Sequence, residues 1–95
     1  MNIVWSREAL DDLVSLRAYI AEDDPAAARR TVSRIIDAIE NLLANHPRIG
    51  RAGRISGTRE LVIPGTPYIV PYRVQRSTLQ ILRVYHAARK WPHRF

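Results

Sequence analysis

Apolar residues return every three or four positions at Ala9, Leu10, Leu13, Leu16 and Ile20, then again at Val32, Ile35, Ile36, Ile39, Leu42 and Leu43. Each set predicts one apolar stripe along a helix whose other side is polar. Ser6 offers an N-cap oxygen to the first helix, Glu8 suits its positive start, and Trp5 with Leu10 can staple its entry. That helix should end near Glu22. Asp24-Pro25 restarts the pattern, with Asp as cap and Pro at the first helical position. The second helix is expected to run from Asp24 to Asn45, ahead of Pro47. So short a link predicts an antiparallel helical hairpin.

The pattern then shifts to a period of two. Asn2–Trp5 reads as a short leading strand, and Arg59–Ile63, Tyr68–Gln75 and Thr78–His86 read as three more. Pro64-Gly65-Thr66-Pro67 and the tight Arg76-Ser77 turn separate the last three, so they should form an antiparallel meander. Pro71 falls inside the middle run, where it removes a ladder donor, so a bulge or an unpaired stretch is expected there. In strict alternation Leu79, Ile81 and Tyr85 share one face of the last strand, and Leu82 and Val84 the other. The expected fold is α+β, with an N-terminal strand and a two-helix hairpin packed on a small antiparallel sheet. A chain of 95 residues should hold it as one domain.

Composition narrows the class. Hydrophobic content of 46% suffices for a core and argues against disorder. With no Cys there is no disulfide frame or thiolate, and His46, His86 and His93 lack metal-ligand spacing. No metal or cofactor is expected. The opening Met1-Asn2-Ile3-Val4-Trp5-Ser6 is not a signal peptide, and no apolar run approaches membrane-spanning length. The expectation is a cytoplasmic protein with no membrane partner.

Charge changes the picture more. Residues 1–45 carry five Arg against eight Asp and Glu, a net of −3; residues 46–95 carry nine Arg and Lys90 against Glu60, a net of +9. Those figures sum to the overall +6. A cationic field on one half attracts polyanions or an acidic protein. Arg48, Arg51 and Arg54 lie among Gly50, Gly53 and Gly57 in an irregular loop, suited to phosphate contact or simply solvated. Arg59, Arg73 and Lys90 extend the candidate binding set. Near the end, Arg83 and Tyr85 share one strand face, His86 points to the other, and Arg89 follows just beyond. RNA cleavage by the 2′-hydroxyl needs a proton acceptor, a donor and cations, and these residues supply the types; a satisfied structural histidine and a core tyrosine are the plainer alternative. Trp91 and Phe95 could stack on bases or fold a tail onto the sheet. The second sheet face meets that tail or awaits an acidic amphipathic partner. Asp11, Asp12, Asp23 and Asp24 are accounted for by helix starts and solvated faces.

The order of several blocks carries a resemblance: Ile3-Val4-Trp5-Ser6 into Ala9-Leu10-Asp11-Asp12-Leu13, then Arg59-Glu60-Leu61-Val62-Ile63, Tyr68-Ile69-Val70-Pro71-Tyr72-Arg73-Val74, and Ile81-Leu82-Arg83-Val84-Tyr85-His86-Ala87-Ala88-Arg89. Over nearly its whole length the chain resembles the RelE/ParE superfamily of bacterial type II toxin–antitoxin modules. The resemblance implies a growth-arresting toxin held inactive by a small, acidic, partly disordered antitoxin that orders on binding. It implies one of two targets: DNA gyrase, as for ParE-like members, or mRNA in the ribosomal A site, as for RelE-like ones. As a metal-independent endoribonuclease the chain would use Arg83, His86 and Arg89. Ile69 stands where RelE-like nucleases place an arginine, and the second strand carries no lysine. The long hairpin looks more like ParE relatives, which favours gyrase. A nontoxic basic binding module is the third reading, since fold alone does not fix function.

Overall fold

The computed structural model describes every residue from Met1 to Phe95. Strand β1 (Asn2–Trp5) leads into helix α1 (Arg7–Ala21), and helix α2 (Pro25–Asp37) continues through a π-helical turn at Ala38–Leu43. Strands β2 (Arg51–Ala52), β3 (Arg59–Val62), β4 (Tyr68–Gln75), β5 (Thr78–Ile81) and β6 (Tyr85–His86) follow. They form one sheet in the order β1-β5-β4-β3-β2, with β6 beside the start of β4. The expected α+β architecture is present, and its sheet is mixed: β1 pairs with β5 in parallel, Ile3 opposite Leu79. The intervening hairpin makes this possible, because a parallel neighbour needs a long crossover.

The caps form as the sequence predicts. The Ala9 amide donates to Ser6 Oγ at 2.9 Å and the Ala27 amide to Asp24 Oδ1 at 3.0 Å. Trp5 packs against the core, but Leu10 is 45% exposed, so the expected staple has no burial behind it. Ile35, Ile39 and Leu43 are fully buried at intervals of four. Each such step overshoots an α-helical turn by about 40°; the wider π turn absorbs the drift and keeps this row on the sheet. Val70, Tyr72, Leu79 and Ile81 meet the helices from the sheet side.

Tyr72 moors the irregular loop. Its buried hydroxyl donates to Pro47 O at 2.7 Å and accepts the Gly50 amide at 2.9 Å. A Cβ on Gly50 would stand 2.6 Å from that ring, so only glycine fits. Arg59 Nη1 donates to the Arg48 and Gly50 carbonyls. Within this loop the Arg51–Ala52 pair also joins the sheet edge beside β3, an element its composition does not signal.

The expected disruption at Pro71 occurs, on the opposite strand. Tyr72 pairs with Ile81 and Ile69 with Tyr85. Two residues of β4, Val70 and Pro71, therefore face three, Leu82 to Val84: a β-bulge. Pro71 O accepts the Leu82 amide at 3.0 Å, so the ring nitrogen without hydrogen points the same way. The Leu82 carbonyl that it leaves unserved accepts the Ser6 hydroxyl instead, at 2.8 Å. Asp12 completes the repair, with Oδ2 accepting the Val84 amide at 2.9 Å and the Arg83 Nε at 2.8 Å while Oδ1 accepts Arg83 Nη2 at 2.9 Å. The bulge overturns the expected alternation: Val84 joins Leu79 and Ile81 in the core, and Tyr85 turns to the other face.

Two stability outcomes follow from this repair. Ser6→Ala removes a cap and strands a carbonyl, and should cost about 2 kcal/mol or more, against about 1 kcal/mol for the exposed cap in Asp24→Ala. Urea unfolding of both variants measures the difference; equal losses would refute the second role of Ser6. Asp12→Ala, which leaves a half-buried guanidinium unpaired, should cost about 3 kcal/mol. An Asp12→Leu/Arg83→Met double variant should recover part of that in the same assay.

Candidate functional site

The sheet face turned away from the helices gathers Arg51 and Arg54 beside Glu60, and Arg83 and Arg89 beside Tyr85. Glu60, the sole acid of residues 46–95, is 2% exposed, on β3 opposite Arg51 of the edge strand. Its Oε1 accepts Arg51 Nε and Nη2 at 3.2 and 3.1 Å, and its Oε2 accepts the Arg54 amide at 2.8 Å. A buried carboxylate requires such partners, and the basic loop folds back to supply them. The Arg54 guanidinium then lies 4.0 Å above the Trp91 ring, a cation–π contact.

Tyr85 is the second centre of this face. Trp91 meets it edge-on at 4.9 Å between centroids, and Phe95 lies tilted at 6.2 Å. The Arg83 and Arg89 guanidiniums sit 4.6 and 4.5 Å from its ring. Burial pushes its phenol above the usual range, opposed by the nearby Arg83 and Arg89 charges. The Asp12 hydrogen bonds push Arg83 higher still, so it stays charged throughout. Of the two fates open to this face, the tail supplies the cover: Trp91 and Phe95 pack on it.

His86 belongs to another place. It rests edge-on against Tyr68, 5.5 Å between centroids, in an open cleft of about 420 Å³ beside α1. Ser15, Tyr19 and Arg89 also line that cleft. The Ala88 amide donates to His86 Nδ1 at 3.1 Å, which places the neutral ring's hydrogen on Nε2. Burial, then the neighbouring Tyr19, raises the Tyr68 phenol.

Of the candidate residues, the structure thus brings Arg51, Arg54, Arg83 and Arg89 together around Glu60 and Tyr85. It separates the others. Arg59 is spent on loop carbonyls. Arg48 lines a groove of about 620 Å³ at the end of α2, with Leu42 and Ile49. Arg73 lies opposite Gln80 toward the far end of the sheet, and Lys90 is exposed on the tail. Asp12, Ser15, Tyr19 and Tyr68 were not candidates from sequence. Only Tyr68, by alternating with Val70 and Tyr72, carries a local signal, and that signal reads as core.

With this geometry in hand, comparison with known proteins is informative. Residues 3–91 match the family described as "ParE toxin of type II toxin-antitoxin system, parDE". Y4kP of Sinorhizobium fredii is 50% identical over 91 residues, covering 96% of this chain and 93% of that protein. The protein named toxin RelE2, from Caulobacter vibrioides, is 37% identical over 88 residues, covering 93% and 97%. A solved chain of the "Chromosomal ParDE TA system from P. aeruginosa" superposes with a TM-score of 0.78 at 30% identity, covering 90% of this chain and 95% of that one. The mixed sheet, the capped hairpin and this agreement along nearly the full length lead to one assignment: the chain belongs to the ParE toxin family, the toxin half of a type II toxin–antitoxin pair, with a cognate antitoxin as its partner.

Proposed function

We propose that this toxin arrests growth by stoichiometric binding to DNA gyrase, with no catalytic residue of its own. One observation carries the reading: the groups that ribonuclease chemistry would need do not converge. Arg83 is held by both carboxylate oxygens of Asp12. Tyr85 is buried under Trp91, while His86 lies in a different cleft beside α1. General acid–base cleavage requires donor and acceptor within hydrogen-bond reach of one scissile phosphate. A binding toxin needs only a rigid cationic surface, which Arg51, Arg54 and Arg89 supply together with Arg48, Arg73 and Lys90 at its margins. The antitoxin that neutralises this surface is read as small, acidic and partly disordered.

A second reading, ribosome-dependent mRNA cleavage, draws on the cleft itself, where His86, Arg89, Tyr19 and Tyr68 stand together. Induction in cells separates the two. Under the gyrase reading DNA synthesis stops first, cells filament, translation persists, and His86→Ala arrests growth as well as the parent does. Early loss of protein synthesis with codon-phased mRNA cuts, abolished by a folded His86→Ala variant, would overturn it.

A further inference from the structure

The tail covers the Tyr85 end of the outer sheet face and leaves the other end open, where β4 turns into β5. Tyr72, Val74, Leu79 and Ile81 pack into the core, so Arg73, Gln75, Thr78 and Gln80 point outward by alternation. They form a quartet, with Arg73 opposite Gln80 and Gln75 opposite Thr78. Gln75, Arg76, Ser77, Thr78 and Gln80 border an open concavity of about 590 Å³. Strands β1, β4 and β5 contain no acid, and no ion pair uses Arg73 or Arg76. The turn itself is strained. Arg76 adopts a φ of +54°, a conformation that two-residue hairpin turns usually assign to Gly or Asn. An arginine there sets a guanidinium at the apex of the ribbon, and strain held at an exposed turn points to a function for the side chain.

We propose that this end of the sheet is a contact for duplex DNA: Arg73 and Arg76 meet phosphates, while Gln75, Thr78 and Gln80 face base edges in the major groove. The proposal rests on the gyrase reading and extends it, the duplex being the one that gyrase holds. Chemistry selects this partner. Two guanidiniums without an acid beside them attract a phosphate backbone, and glutamine and threonine hydrogen-bond base edges. A protein partner wants an aromatic or apolar anchor, and the quartet has none. A single strand wants stacking rings, and residues 73–80 contain no aromatic side chain. The deep, narrow groove of an A-form RNA duplex shuts side chains out, whereas the major groove of B-DNA admits a two-stranded ribbon.

Fluorescence anisotropy of the full-length toxin with a labelled DNA duplex of about two helical turns tests this. Binding should weaken as salt rises. Arg73→Ala and Arg76→Gly should each lower the log–log salt slope by about one and the affinity about tenfold. Arg76→Gly also separates function from fold. Glycine relieves the left-handed backbone, so this variant should melt no lower than the parent while it loses the contact. A lower melting temperature with unchanged duplex binding overturns the proposal. So does an equal loss from Arg48→Ala, which spreads the attraction over the whole cationic half. Equal affinity for single-stranded DNA or for an RNA duplex refutes it as well. Calorimetry with gyrase alone keeps the two readings apart. Toxin that binds gyrase but not the duplex loses the DNA contact and keeps the gyrase reading. Toxin that binds the duplex through Arg73 and Arg76 but not gyrase keeps the contact and loses the gyrase reading.

Discussion

A single missing hydrogen organises the C-terminal third of this toxin. Pro71 occupies the centre of the longest strand, and its nitrogen faces the last strand without a proton to give. The β3 ladder loses nothing, since its bonds come from the alternate residues of β4. On the other side the register slips by one residue, and helix α1 makes good the loss. Ser6 reaches the stranded Leu82 carbonyl, and Asp12 takes the loose Val84 amide together with the Arg83 guanidinium. Because the side-chain period of a strand is two, a one-residue slip exchanges its faces. Val84 therefore seals the core and Tyr85 is delivered to the outer surface.

That exchange decides how the arginines are used. Read along the chain, they form one cationic half. In space they divide into those spent on structure and those turned outward. Arg83 neutralises Asp12 of the acidic half, and Arg59 serves loop carbonyls. Arg51 and Arg54 satisfy the lone buried Glu60 and still present about half of each side chain to solvent, 54% and 45%. Such pairs anchor a loop more than they stabilise a fold, because exposed guanidiniums gain little net energy from an ion pair. What they achieve is placement: Arg54 is held over Trp91, and Trp91 over Tyr85.

The outer face thus joins a cationic surface to a covering tail. Trp91 removes the Tyr85 ring from water, at the cost of two unpartnered donors and a crowd of like charges. Hydrophobic burial is indifferent to charge and direction, so it suffices to hold a tail down. Hydrogen bonds are directional, and beneath the tail two of them are left unmade.

Helix stripes, caps, turns and the charge division were legible in the sequence, because each depends on neighbours within a few positions. Ser6 and Asp24 cap where their side chains reach the next turn, and Ile35, Ile39 and Leu43 select the buried side of α2. Even the need for a bulge at Pro71 is local, for proline always lacks its donor. Which strand would bulge, and which helix residues would repair it, were not. Asp12 and Arg83 are 71 positions apart, and nothing in Asp11-Asp12 marks one as solvated and the other as a clamp. Alternation alone sets the adjacent Tyr85 and His86 on opposite faces; which of them meets the cleft and which lies beneath the tail is fixed by a register that distant partners set. The sequence alone determined the elements and the sign of the surface; long-range pairing, which short-range spacing does not encode, decided which side chains share a face.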